Sequence, residues 1–122
     1  MAPLKQLCGK DFLLYSGDDE TGAEFVLLGG DGVISVTSNV VPAVMHKMMM
    51  AALKKDKAAT EAMNKPLELL HQRLFLQSNP IPAKWALWRM GKIGAGIRPP
   101  MTVLEEEFHK PLEEALKAAG AI

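Results

Sequence analysis

Cys8, His46, His71, His109 and the methionines at 45 and 48–50 are the side chains best suited to nucleophilic or soft-metal chemistry. Their spacing supports neither. No histidine has a cysteine or second histidine at ligand spacing, so a zinc site is not expected. Met45, Met48 and Met49 share one helical face with Val41, Val44, Ala52 and Leu53, which reads as core packing rather than as a set of thioether ligands. Cys8 reads as an inert thiol. Glu105-Glu106-Glu107 falls in a predicted first helical turn, where negative charge suits the helix dipole. Trp85 and Trp88 read as packing residues. No nucleophile stands beside a base with any local signature, so an independent small enzyme is the least supported reading.

Three further residues lie where strands should end. Gly17 follows Phe12-Leu13-Leu14-Tyr15-Ser16, Asp18 comes next, and Ile34 lies in Val33-Ile34-Ser35-Val36. Taken alone, Gly17 serves a turn, Asp18 or Asp19 caps a helix, and Ile34 fills a core.

The elements around them alternate. Leu4 and Leu7 with the stop at Gly9 read as the tail of a helix. The unbroken apolar run 12–15 predicts a strand buried on both faces. A helix comes next over about 20–28, closed by Gly29-Gly30, then a β-branched strand over 33–36. The stripe from Val41 to Leu53 predicts an amphipathic helix. Asp56 can cap the next one, which Pro66 should kink or split. Asn79-Pro80-Ile81-Pro82 is a stiff connector, with Pro82 suited to a first helical position. Thr102 and Glu105 form a capping box for a last helix carrying Leu104, Phe108, Leu112 and Leu116, bent at Pro111. Strand–helix alternation implies a parallel α/β sheet. Two such strands leave open edges and apolar faces, so more strands or a pairing partner are expected.

Composition limits the function classes. The chain has 122 residues, 48% of them hydrophobic, with 14 basic and 14 acidic side chains balancing to +0. That is enough for one domain with a real core, and nothing in it attracts a phosphate backbone, so nucleic acid is not an expected partner. No apolar run reaches membrane-spanning length, and Met1 to Lys10 lacks the apolar segment of a signal peptide. A single cysteine fits a reducing, cytoplasmic setting.

Leu14-Tyr15-Ser16-Gly17-Asp18-Asp19, followed by Gly29-Gly30-Asp31-Gly32-Val33-Ile34-Ser35-Val36-Thr37-Ser38-Asn39, resembles the dihydrodipicolinate synthase family, also called the 4-hydroxy-tetrahydrodipicolinate synthases. Asn79-Pro80-Ile81-Pro82-Ala83-Lys84-Trp85-Ala86 and Arg98-Pro99-Pro100-Met101 resemble later segments of the same family, in its order and spacing. The resemblance implies the end of a (β/α)8 TIM barrel followed by a carboxy-terminal helical domain. Residues 1–55 would hold the end of helix six, strand seven, helix seven, strand eight and helix eight. Residues 56–122 would form the helical domain.

The resemblance also implies a reaction. The family condenses pyruvate with aspartate semialdehyde in lysine and diaminopimelate biosynthesis, through a lysine Schiff base whose protonated imine serves as electron sink. That lysine belongs to the sixth strand, before the helix tail at Met1–Gly9, and the proton-relay tyrosine and threonine lie on earlier strands. None has a counterpart here. Tyr15 is not the relay tyrosine and Lys84 is not the Schiff-base lysine. Ile34, largely through its carbonyl, Gly17, where a side chain would crowd the pocket, and more loosely Asp18 would contribute to the substrate-binding rim. No catalytic residue, metal or cofactor is expected in this chain. Expected partners are an amino-terminal half of the barrel or further copies of the chain, since the family is usually tetrameric with one interface near residues 1–28. The expectation is a lyase portion inactive alone; the competing reading is a non-catalytic, self-associating module.

Overall fold

The structure, a computed structural model, describes all 122 residues. Its two strands, β1 (Tyr15–Ser16) and β2 (Gly32–Val33), are parallel and neighbouring, with Tyr15 opposite Gly32 and Ser16 opposite Val33. Both are shorter than their apolar runs predict, and displaced from them. Phe12 and Leu13 join no strand ladder, and Ser35-Val36 turns away into a 3-10 turn over Thr37–Asn39. The ladder extends one step each way through Asp31 N to Leu14 O and Ile34 N to Ser16 O, both 2.8 Å. Below it the Asp31 carboxylate accepts from Leu14 N at 2.7 Å, so a side chain ends the pairing where another strand residue would continue it. An apolar run marks what a sheet would bury; register depends on the neighbour.

Helix α1 (Ala2–Cys8) buries none of its residues and is tied by Lys5 to Asp31, 3.6 Å away. The Asp31 carboxyl is held below its usual range, first by the Leu14 amide and then by Lys5. Helix α2 (Asp19–Leu27) starts one residue earlier than predicted. It lies so near β2 that a Cβ on Gly22 would sit 2.9 Å from Val33 Cγ2, a closeness glycine alone permits. Helix α3 (Pro42–Leu53) buries Met45, Met48 and Ala52, as its stripe predicts, and the two methionines cluster with Ala23 and Leu67. Lys55 comes after it with φ 61, and its Nζ donates to the last carbonyls of α2, Val26 O and Leu27 O, each at 3.0 Å.

Asp56 caps α4 (Lys57–Asn64) by accepting from Ala59 N at 3.1 Å. Pro66 does split the helical stretch beyond α4, into a 3-10 turn (Lys65–Leu67) and α5 (Glu68–Arg73). Helix α6 (Ile81–Arg89) takes Pro82 at its second position, where a missing N–H is equally harmless. The final helix, α7 (His109–Ala118), differs most from expectation. Thr102 caps nothing, and residues 101–105 are extended or irregular. Glu105 N donates instead to Gln77 Oε1 at 2.8 Å, and a 3-10 turn (Glu106–Phe108) precedes the helix. Pro111 therefore falls in the first turn of α7, where it forces no bend.

The main core lies among these later helices. Leu70, Leu74, Ala86, Leu112, Ala115 and Leu116 have no exposure, and Val40 from the turn after β2 joins them. Each fully buried leucine there contributes roughly 1.5–3 kcal/mol through removal from water. No helix is long and apolar enough to cross a membrane.

Candidate functional site

The last paired residues of the ladder are Ser16 and Val33, so Gly17 and Ile34 emerge side by side at the carboxyl ends of β1 and β2. Ile34 is 72% exposed. A Cβ on Gly17 would meet no heavy atom within 4 Å, so nothing in this chain itself crowds that position. Asp18 comes directly after, but its carboxylate is engaged: Oδ2 accepts from Thr21 Oγ1 at 2.6 Å and from Thr21 N at 3.3 Å, capping α2. Helix capping thus accounts for Asp18 without a ligand. The three predicted rim residues share one edge of the molecule, and two of them are open.

The residues that fix this edge lie one position further along. Asp19 is 5% exposed and accepts from Val36 N at 2.9 Å, Thr37 N at 3.0 Å and the Ser35 hydroxyl. Three donors on one carboxylate pin the chain immediately after Ile34 to the first turn of α2. The Thr37 hydroxyl meets His71 Nδ1 at 2.8 Å, and His71 Nε2 meets Asn64 Oδ1 at 2.9 Å. Burial lowers the pKa of His71, the carboxylate of Asp19 opposing this, which favours a neutral ring. With the proton on Nε2, His71 donates to Asn64 and accepts from Thr37, so every contact has one donor and one acceptor.

Sequence reasoning missed this run of hydrogen bonds, treating Asp19 only as an alternative cap and His71 as one of three scattered histidines. A signal was present: Leu67, His71 and Leu74 are spaced four and three apart, which places the imidazole on the buried face of α5. Tyr15 is exposed in β1, and Lys84 lies in α6. No lysine, cysteine or histidine occurs in residues 16–19 or 33–37, and no three His, Cys, Asp or Glu side chains converge as metal ligands would. The edge offers backbone groups, hydroxyls and shape to a ligand, with no amine, thiol or imidazole of its own.

Comparison with known proteins identifies a family. The model of the dihydrodipicolinate synthetase family matches residues 1–119. The 4-hydroxy-tetrahydrodipicolinate synthase of Thioalkalivibrio sulfidiphilus is 61% identical over 113 residues, covering 93% of this chain and 38% of the relative. That of Methylococcus capsulatus is 50% identical over 122 residues, all of this chain and 42% of its own length. The crystal structure of a chloride-inhibited dihydrodipicolinate synthase from Acinetobacter baumannii, complexed with pyruvate, superposes with a TM-score of 0.94 at 47% identity, covering 98% of this chain and 41% of that one. The chain thus spans about two fifths of the length of the relatives it matches.

Proposed function

The chain belongs to the dihydrodipicolinate synthetase family, and from that membership we propose that its 122 residues are the carboxy-terminal portion of a pyruvate-dependent lyase, supplying the last two strands of a (β/α)8 barrel and the appended helices. In this reading residues 1–55 close the barrel and 56–122 form the helical domain. The assembled enzyme condenses pyruvate with aspartate semialdehyde in the cytoplasm. Gly17 and the Ile34 backbone line the pyruvate end of its pocket, Asp18 acts mainly as a cap, and these residues alone do not catalyse.

The observation that carries the reading is the unfinished sheet. A two-residue parallel ladder flanked by exposed Phe12, Leu13, Tyr15 and Ile34 has apolar faces that nothing in the chain covers. Isolated ladders of this size are marginal in water, and further strands on both sides satisfy their edges. The Acinetobacter relative, crystallised with pyruvate, supports the substrate.

The test is to incubate the chain with pyruvate, reduce with borohydride and weigh it. An amine condensing with the ketone loses water to form an imine, which borohydride reduces to a stable secondary amine. Unchanged mass is expected. A stable adduct on any lysine would overturn the claim that the Schiff-base residue is not among these 122.

A second reading, a self-associating module without activity, draws on the same exposed residues. Concentration-dependent dimers on a sizing column that disappear in Leu13→Ser and Ile34→Ser variants would favour it. A monomer at all concentrations would count against it.

A further inference from the structure

Residues 81–103 carry Lys84, Arg89, Lys92 and Arg98 and not one acidic residue. Arg89 is paired with Glu113 at 2.6 Å, whereas Lys84, half-buried, has no carboxylate partner. The same stretch walls a cavity of about 180 Å3 between α6, the glycine-containing loop after it and the start of α7. Trp85, Trp88, Ile97, Leu104, His109 and Lys84 line it, and no carboxylate does.

Its aromatic wall is held in place. Trp85 stacks on His109 with ring centroids 4.9 Å apart and 24° between planes. The imidazole is anchored by Nε2, 2.9 Å from Leu104 O; a carbonyl only accepts, so Nε2 is the donor. Trp88 stands 5.9 Å from Trp85 at 53°, and 43% of it is exposed. An indole fixed at one side and left uncovered at the other is an unusual exposure of apolar surface.

The size suits one ring, since an apolar cavity of about 150 Å3 is known to accept benzene. Walls that are mostly apolar, with a single convergent charge, describe a small-molecule site, and here the charge is an unpaired cation in an acid-free stretch. We propose that this cavity binds a small aromatic carboxylate, its ring against Trp88 and Trp85 and its carboxylate on Lys84. The site lies in the later helices and shares no residue with the strand-end rim.

Phenylacetate, 2-phenylethanol and phenylethylamine are the probes, titrated into the 15N-labelled 122-residue chain. The chain has two tryptophans, so two indole N–H resonances report on the cavity. Saturable shifts of both are expected with phenylacetate, with affinity at least about tenfold weaker for the alcohol and weaker still for the amine. Lys84→Gln should abolish the preference for the acid while leaving the alcohol unchanged. Trp88→Ala should weaken all three probes without moving the thermal midpoint, and the Trp85 resonance checks that the wall is intact. Absence of saturation at millimolar phenylacetate, equal affinity for acid and alcohol, or a preference that survives Lys84→Gln would each overturn the proposal. So would indole shifts that track protein concentration without probe, because they would assign the surface to a second copy of the chain.

Discussion

Residues 1–34 and residues 36–122 are both rich in apolar side chains but place them differently. In the first region Leu4, Leu7, Phe12, Leu13, Tyr15, Leu28 and Ile34 are exposed, and only Ala23 and Val26 among its apolar side chains are buried. In the second, Leu70, Leu74, Leu112 and Leu116 are wholly enclosed by one another and by Val40, Ile81 and Ala86. Helices joined by short connections find their partners within the chain. Parallel strands depend on neighbours that are remote in sequence, so their apolar faces stay open until those neighbours arrive. The exposed surface of the first region is what the proposed barrel neighbours would cover.

The contrast is most sharply broken or upheld by truncation at matched sites. Leu112→Ala should cost about 2–5 kcal/mol in urea denaturation, the range for enclosed leucines. Leu13→Ser should change stability by less than about 0.5 kcal/mol. Equal losses would mean that the strand side is as well supported as the helices. Next in size is the seam between the regions. Asp19→Ala removes the acceptor for Val36 N, Thr37 N and the Ser35 hydroxyl and should cost about 1–3 kcal/mol. Amide exchange at Val36 and Thr37 should accelerate while the α7 amides stay protected.

The same seam makes stability depend on pH. The His71 pKa is lowered on folding, chiefly by burial, so the unfolded chain binds the proton more readily. The stabilisation is complete above the unfolded value of about 6.5 and is lost as pH falls through the folded value. Urea midpoints at about pH 7.5 and about pH 5.5, on either side of that unfolded value, should differ in that direction, and His71→Gln should flatten the difference. A smaller loss than at Asp19 is expected at the cap of α2: Asp18→Ala should cost about 1 kcal/mol, read from the thermal midpoint.

Legibility in the sequence divides the same way, between local and remote. The stripe of α3, the cap at Asp56 and the split at Pro66 depend on residues within a few positions of one another, and each is where its pattern placed it, whereas the cap of α2, left open between Asp18 and Asp19, falls on Asp18. The capping box at Thr102 was equally local and failed, because Gln77, from 28 residues away, takes the amide of Glu105 and Leu104 is drawn into the core. Strand limits slipped because Asp31, 17 residues on, occupies the amide of Leu14. The proposal of Gly17 and Ile34 as rim positions rests on family motifs, since a two-residue ladder has no periodicity to read. The Asp19–Thr37–His71 connection joins residues 18 and 34 apart, and no spacing rule reaches that far.

Lys55 gives the joint between α2 and α3 a particular chemical character. Its ammonium is held by two peptide oxygens, which do not titrate, whereas α1 is fastened to the strand side through a carboxylate. Acid strong enough to protonate Asp31 dissolves the second fastening and leaves the first untouched. Of these two fastenings the one at the amino terminus is therefore the acid-sensitive one, and Lys55 still holds the end of α2 after α1 has let go.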